Sequence, residues 1–432
     1  MRRSGAIAAA LALALAGCAS KDPGLPGSSG SAGSSGSAGS GGSAGSAGND
    51  ASVSDAMADH PSGGDSDAAV GVDATDSRAD GAKDVSSGCV APTTRGQCTV
   101  PANVYCPVPK LSLTGCMDAT NPTQLASYVI PYEVNSPLWS DSADKSRGFV
   151  LPAGGKIHVK DCTANPDECS RGPADTGKWV LPVGSVMVKS FMFSGKLVET
   201  RLLVHADAYN WYGYTYQWNE AQTEATIVPD ARVEVMFHTG ADAGVVDWHY
   251  PSRTDCGDCH TQPAGGTLGP ETDQMNRVVG GMNQIDRFAA MGLFDAPVPK
   301  PYEKALVTPY PGQLGSPPEG ATLDERARSY LHANCAHCHR PDADMNAFDL
   351  RYGVSLHDTM TCNAPLTMGD VGVPDAVVLA PGQPMKSSIW LRMNAPIGMY
   401  NNLHMPRIAN FQFDTQGLQL ISDWIKSVKS CP

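Results

Sequence analysis

The motif Cys-x-x-Cys-His occurs twice in this sequence, in the stretches TDCGDCHTQ (Thr254–Gln262) and HANCAHCHRP (His332–Pro341). In each stretch two residues separate the cysteines, and a histidine follows the second cysteine directly. One chance match to such a pattern is already rare, and two are much rarer. The repetition therefore indicates one kind of site that is built twice in the chain.

This spacing suits the covalent attachment of haem. Two thiols separated by two residues can add to the two vinyl groups of a haem, and the following histidine then becomes the proximal ligand of the iron. Zinc sites usually place their two Cys-x-x-Cys pairs closer together in sequence, and a thioredoxin-like pair would need no second copy. The sequence therefore predicts two covalently bound haem c groups. The predicted attachment residues are Cys256, Cys259, Cys335 and Cys338, and the predicted proximal iron ligands are His260 and His339.

The N-terminal residues 1–18 have the pattern of an export signal. Arg2 and Arg3 precede the apolar run Ala6–Ala16, which is too short to span a membrane. The run ends in LAGC, which resembles a bacterial lipobox and implies lipidation of Cys18. Ala19 after this cysteine favours the outer membrane. The alternative is an ordinary signal peptide with an incidental cysteine. We therefore expect a protein of the bacterial cell envelope, anchored to a lipid membrane, with its folded part periplasmic or surface-exposed.

Residues 19–88 consist almost entirely of Gly, Ser, Ala and Asp. Such a composition buries too little apolar surface to fold, so we predict a disordered tether. The formal net charge of the whole chain is −13. This charge argues against nucleic acid as a partner and permits docking with a basic redox protein.

The remaining cysteines predict a disulfide framework. The chain has 13 cysteines, of which Cys18 and the four motif cysteines are already assigned. Eight cysteines then remain, and this even number in an exported protein predicts four disulfides. Cys162 and Cys169 would close a local loop, and Cys362 and Cys431 are the spare pair of the C-terminal region. The pairing among the four N-terminal cysteines Cys89, Cys98, Cys106 and Cys116 stays open.

Helical patterns lie on both sides of the second motif. The segment Leu323–His332 and the segment Asp414–Ser430 both carry an apolar stripe at helical spacing. A helix before the haem motif and another at the C-terminus resemble the small class I cytochrome c family. This resemblance implies a second, mainly α haem domain over residues 313–432.

The distal ligand of the second haem should come from the loop before the last helix. Met405 precedes Pro406 there, and a thioether ligand would raise the reduction potential. The neighbouring His404 is the alternative donor. Arg392 and Arg407 are candidate partners of the haem propionates.

The first motif has a different setting, which predicts a reduced haem module over residues 251–312. An extended segment, rather than a helix, leads into it. Met282 is the first candidate for its distal ligand and Met275 the second. A histidine such as His249, or a vacant position, is the alternative.

Residues 89–250 combine a cysteine-rich start with strand-like runs such as KWVLPVGSVMVKSFMF (178–193) and KLVETRLLVHA (196–206). These runs predict a β-sandwich of the jelly-roll type, so the expected fold is multidomain, with this domain followed by mainly α cytochrome c-like haem domains. The stretch NWYGYTYQWNE (210–220) places four aromatic residues on one face of a strand, Tyr212, Tyr214, Tyr216 and Trp218. Such a stripe fills a core more often than it binds sugar.

Residues 116–432 as a whole resemble a bacterial family of exported dihaem c-type cytochromes. The matching stretches, besides the two motifs, are NSPLWSDSADKSRGF (135–149), ETRLL (199–203), YGYTYQWN (212–219) and WHYPSR (248–253). The resemblance implies electron transfer between a donor and an acceptor redox protein. One alternative is a haem enzyme, such as a dihaem peroxidase or an oxidoreductase subunit, with an open distal site at the first haem. Another is a carbohydrate-binding module with attached haems.

Overall fold

Alternating apolar residues in the middle of the chain form the largest sheet of the structure. The computed structural model describes residues 89–237, 245–310, 320–343, 345–367, 369, 371–397, 403–407 and 410–432. These residues belong to one compact unit, Asp76–Pro432. The expectations for residues 1–18, for the tether 19–88 and for lipidation of Cys18 lie outside the described residues.

Six strands pair in the antiparallel order β1-β2-β5-β6-β7-β8, and three further pairs are two-stranded, β3 with β4, β9 with β10 and β11 with β12. The strands are β1 Ile130–Pro131, β2 Asp144–Val150, β3 His158–Val159, β4 Trp179–Val180, β5 Val186–Phe193, β6 Lys196–His205, β7 Trp211–Trp218, β8 Ala225–Val228, β9 Arg232–Phe237, β10 Val245–Tyr250, β11 Val278–Val279 and β12 Met282–Asn283.

The large sheet is buried on both faces, as the alternation of side chains in a strand allows. On β5, Val186 and Val188 face a core that also contains Cys98 of the cysteine-rich segment. Met187, between them, faces a second core that includes Phe288. Tyr214, Tyr216 and Trp218 are all buried in the first core, so the aromatic stripe of β7 fills the interior.

Seven α-helices occur among the described residues, and most are short. They are α1 Leu111–Thr114, α2 Arg253–Cys259, α3 Thr272–Met275, α4 Gln284–Ala290, α5 Leu323–Asn334, α6 Ser388–Met393 and α7 Thr415–Ser427. Helix α5 begins with a capping box, in which Thr322 and Glu325 satisfy each other's backbone N–H groups. Leu331 of α5 and Ile421 and Trp424 of α7 share a core. The two helices predicted on either side of the second motif are therefore present.

The predicted fold class is nevertheless wrong. The part of the chain that the structure describes is about 21% strand and about 20% helix, with antiparallel sheets and short helices, and no mainly α cytochrome c-like domain is evident in it. The predicted jelly-roll sandwich is likewise replaced by one six-stranded sheet with small two-stranded additions. The physical reason is that a disulfide-cross-linked segment covers one face of this sheet, and the short helices α3 and α4 contribute to the cover of the other. Apolar side chains are thus buried without a second large sheet. Around the second motif, long irregular stretches take the place of the expected further helices.

Candidate functional site

The cysteines of the described residues divide into two groups. Four disulfides join Cys89 with Cys106, Cys98 with Cys116, Cys162 with Cys169 and Cys362 with Cys431. Both pairs that the sequence predicts are among them, and the open pairing of the N-terminal four is now resolved. The four cysteines without a disulfide are Cys256, Cys259, Cys335 and Cys338. The thiols of the two motifs are thus kept apart from the structural cross-links.

The first motif lies on the short helix α2, which a capping box starts. The Ser252 side chain accepts a hydrogen bond from the N–H of Asp255, and the Asp255 carboxylate accepts one from the N–H of Ser252. The helix packs against strand β7 so closely that a Cβ on Gly213 would overlap the Cys256 sulfur. The capping box and this packing together fix the position of the first thiol.

His260 ends helix α2 and has one ring nitrogen engaged. Its Nδ1 lies 2.5 Å from the carbonyl oxygen of Gly266, which orients the ring and leaves Nε2 for a ligand. Burial lowers the pKa of His260 to about 4, so the imidazole is neutral at pH 7. A neutral, oriented imidazole is the form that binds a haem iron.

A cavity adjoins this motif, with a space of about 1480 Å³ between protein atoms, open solvent included. Cys256, Cys259 and His260 line one side of it. The sheet contributes charged residues from β2, β5 and β6, and the loop before β2 contributes Trp139 and Asp141. Burial raises the pKa of Asp141 to about 6, although its carboxylate accepts hydrogen bonds from the N–H groups of Phe411 and Gln412.

The two methionines predicted for the first haem lie away from this cavity. Met275 is fully buried in the core beneath the sheet, and Met282 is 51% exposed on the β11–β12 hairpin. Neither residue lines the cavity, whereas His249, the alternative donor, does. His249 is buried, its Nε2 lies 3.1 Å from the Asp255 carboxylate, and its Nδ1 has no partner among the described residues.

Helix α5 ends at Asn334, and the second motif starts at the next residue, Cys335. The His339 ring stacks on Phe348, with centroids 4.4 Å apart and planes 9° from parallel. Burial lowers the pKa of His339 to about 4, so this imidazole too is neutral at pH 7. Both candidate iron ligands therefore have the same charge state and are held by different neighbours.

A second cavity, with about 1330 Å³ of open space, adjoins Cys335 and His339. Met405 and Arg392 line it, together with the further methionines Met345 and Met393. The alternative donor His404 is buried, with Nδ1 2.9 Å from the Ala395 oxygen and Nε2 3.3 Å from the Asn410 amide. Since both its nitrogens are engaged, Met405 is the better placed donor. Arg407 is exposed and is not among the residues that line the cavity.

The two motifs, distant in sequence, meet in the structure. The thiols of Cys259 and Cys338 are near enough to interact, and this interaction raises the pKa of Cys259 and lowers that of Cys338. His337, between the cysteines of the second motif, lines the first cavity, and Pro406 lines both cavities. The two cavities are therefore neighbours.

The segment NSPLWSDSADKSRGF (135–149) links the sheet to the second motif. The Trp139 N–H donates to the Asn334 side chain at 2.7 Å, and the Ser136 hydroxyl donates to the Ser329 carbonyl at 2.9 Å. Both acceptors belong to helix α5. This segment therefore holds the second motif against the sheet that lines the first cavity.

His339 and Met405 at the second cavity are donor types that suit a haem iron. Among the described residues no group of three or more His, Cys, Asp and Glu side chains is arranged to hold a metal. Haem iron needs only axial donors, because the porphyrin supplies the other four. His339 and Met405 at one cavity provide such a pair.

Comparison of the chain with protein-family models, with curated proteins and with solved structures finds no match. Within the described residues, no helix has both the length and the apolar character that crossing a membrane requires.

Proposed function

We propose that this protein is a dihaem c-type cytochrome that transfers electrons at the periplasmic side of a bacterial membrane. One observation carries the proposal. The unpaired cysteines of the described residues are those of the two Cys-x-x-Cys-His motifs. Cys256 and Cys259 line one cavity together with His260, and Cys335 lines the other together with His339. In an exported chain that oxidises its other cysteines, four cysteines without a disulfide are available for covalent bonds to another group.

Each residue of the motifs has a separate task in this proposal. A bound haem supplies an iron that gains and loses one electron. Cys256 and Cys259 would hold one haem, Cys335 and Cys338 would hold the other, and His260 and His339 would each bind one of the irons. Met405 supplies a thioether that favours the ferrous state, and Arg392 lines the same cavity as a candidate propionate partner.

The proximity of Cys259 and Cys338 supports a two-centre carrier rather than two independent sites. Neighbouring attachment sites are what electron exchange inside one molecule requires. The same proposal includes a donor and an acceptor redox protein outside the molecule, with the acidic surface favouring basic partners.

A spectroelectrochemical titration of purified protein tests this function. We expect two one-electron steps, and we expect His260→Ala and His339→Ala each to alter one step and leave the other. A protein from a host with haem-attachment machinery that shows no reversible haem reduction would contradict the proposal.

We further propose that lipidated Cys18 anchors the protein in the cell envelope. The four disulfides support an oxidising compartment, and the lipobox-like LAGC supports the anchor. Cys18→Ser should release the protein from the membrane fraction, and Cys18→Ser protein that stays membrane-bound would refute the anchor.

The second candidate function is an oxidoreductase with an open site at the first haem. It is favoured by the cavity beside Cys256, which lacks both predicted methionines and contains Asp141, His249 and Asp255 as acid–base groups. Rapid carbon monoxide binding to the reduced wild-type protein would support this enzyme, whereas a reduced protein that binds none would support the simple carrier.

A further inference from the structure

Three cations lie directly opposite one another across the large sheet. In the strand register Arg147 on β2 pairs with Lys189 on β5, and Lys189 pairs with Arg201 on β6. Directly opposed residues point to the same face of a sheet, and like charges in such positions destabilise it. The structure thus concentrates positive charge on one face of three neighbouring strands.

Among the described residues, only Arg201 of the three cations forms an ion pair. The guanidinium of Arg201 forms hydrogen bonds with the Glu199 carboxylate, one of them at 2.9 Å. Arg147 is only 8% exposed, and neither its guanidinium nor the Lys189 ammonium makes a hydrogen bond or an ion pair with any described residue. The Lys189 ammonium lies over the Phe191 ring instead, 5.0 Å from its centroid.

Burying unpaired charges is costly, and burial lowers the pKa of Arg147 and, much further, that of Lys189. A neighbouring anion is what would keep the Lys189 ammonium protonated. Both cations line the first cavity, the one that also contains Cys256, Cys259 and His260. The position of Lys189 is close enough for its charge to act on the His260 ring. An anion held by these two residues would therefore lie beside the first motif.

We propose that Arg147 and Lys189 bind the two propionate carboxylates of the haem attached at Cys256 and Cys259. This inference rests on the proposed function, and it assigns ligands to the haem that the sequence left without propionate partners. A haem carries two propionates, and two of the three opposed cations, Arg147 and Lys189, have no ion-pair partner among the described residues. Arg and Lys both form strong charge-assisted hydrogen bonds to carboxylates.

The proposal also gives a role to sequence stretches outside the motifs. Arg147 belongs to NSPLWSDSADKSRGF and Arg201 to ETRLL. Arg201 is already paired with Glu199 and is therefore not assigned to a propionate.

The test uses the full-length protein with both haems attached and compares Arg147→Met, Lys189→Met and their charge-keeping counterparts Arg147→Lys and Lys189→Arg. Removing a cation beside a haem favours the more positive ferric state and so lowers the midpoint potential. We expect both methionine variants to lower the same one of the two midpoint potentials and to leave the other unchanged. The charge-keeping variants should stay close to the wild type, which a merely structural role would not predict. The control is Lys196→Met, an exposed cation of β6, which should move neither potential.

Denaturing mass spectrometry of each variant separates the two ways in which the idea can fail. If the variants carry two haems and both potentials equal those of the wild type, the propionate assignment is overturned while the dihaem function stands. A wild-type protein without covalent haem at Cys256 and Cys259 overturns both. Potentials that follow the phosphate concentration in the wild type would show that a free anion occupies the cations, and would also overturn the assignment. If Arg147→Met does not accumulate, the potentials of Lys189→Met decide the question alone, because Lys189 lies between Arg147 and Arg201.

Discussion

The position of Cys256 depends on a glycine in the neighbouring strand. A Cβ at Gly213 would overlap the Cys256 sulfur, whereas a Cβ at Gly257, between the two motif cysteines, meets no atom within 4 Å. We predict that Gly213→Ala lowers the free energy of unfolding by about 1–3 kcal/mol, because the extra carbon overpacks the contact. It should also reduce haem attachment at the first motif. Gly257→Ala is the control and should leave both quantities nearly unchanged. Equal behaviour of the two variants would show that the close packing does not matter.

Met405 is predicted to raise the potential of the second haem. Replacing its thioether by an alkyl group in Met405→Leu removes the donor that favours ferrous iron. We expect one midpoint potential to fall and the reduced protein to gain carbon monoxide binding, as measured by titration and by difference spectra. Met360, which is 65% exposed, provides the control Met360→Leu, in which neither property should change. A Met405→Leu protein with wild-type potentials would exclude Met405 as a ligand.

Whether a site residue can be predicted depends on how close in sequence the residues that identify it lie. The cysteines and histidines of the two motifs are predictable because haem attachment requires particular residue types within a stretch of five residues. Met405 is placed where a late loop was expected to supply a donor, at the second cavity. Arg147 and Lys189 reach the first cavity only through strand pairing, and His337 reaches it only because the two motifs meet. No short-range pattern in the sequence predicts that these residues lie at the first cavity.

At the scale of elements, helix α5 is tied to the segment after the first motif by the hydrogen-bonded pair of His332 and Glu271. The His332 Nε2 lies 2.6 Å from the Glu271 carboxylate. Burial alone would raise the pKa of Glu271, but His332, Lys178 and Arg340 lower it to about 2, below its ordinary value of 4.5. The carboxylate therefore stabilises the fold fully above about pH 5, and this stabilisation is lost as the pH falls from about 4.5 towards 2.

We accordingly predict that Glu271→Gln flattens the acid limb of the stability curve. Urea unfolding between pH 3 and pH 7 should show a smaller loss of stability at low pH for this variant than for the wild type. Glu220→Gln, at an exposed position, is the control and should follow the wild-type curve. An acid limb as steep in Glu271→Gln as in the wild type would refute the role of the pair.

The elements themselves were predictable to different degrees. The alternation in KLVETRLLVHA matches strand β6, Lys196–His205, and the helical stripes match α5 and α7. The β-sandwich and the mainly α haem domains were wrong, because local periodicity identifies strands and helices but not what covers them. Helix α2 escaped prediction, since a seven-residue helix held by a capping box and by one close strand contact has too few residues to show a periodic stripe.

At the scale of the whole molecule, the disulfides close loops of very different length. Cys362 and Cys431 are 69 residues apart, whereas Cys162 and Cys169 are 7 apart. In the chain-entropy account a longer loop gives more stabilisation, about 4 kcal/mol for the first pair and about 2 kcal/mol for the second. Serine replacement of each pair should therefore lower the free energy of unfolding by roughly those amounts in denaturant titrations. An equal loss from both pairs, or a larger loss from the short loop, would contradict the entropic explanation.

The central claim is that two haems are covalently attached, one at each Cys-x-x-Cys-His motif. The most direct measurement is the intact mass of denatured protein, purified from a host with working haem-attachment machinery. We predict a mass higher than the polypeptide by two haem groups, and higher by one group when Cys256 and Cys259, or Cys335 and Cys338, are replaced by serine. A mass equal to that of the polypeptide alone would contradict the account.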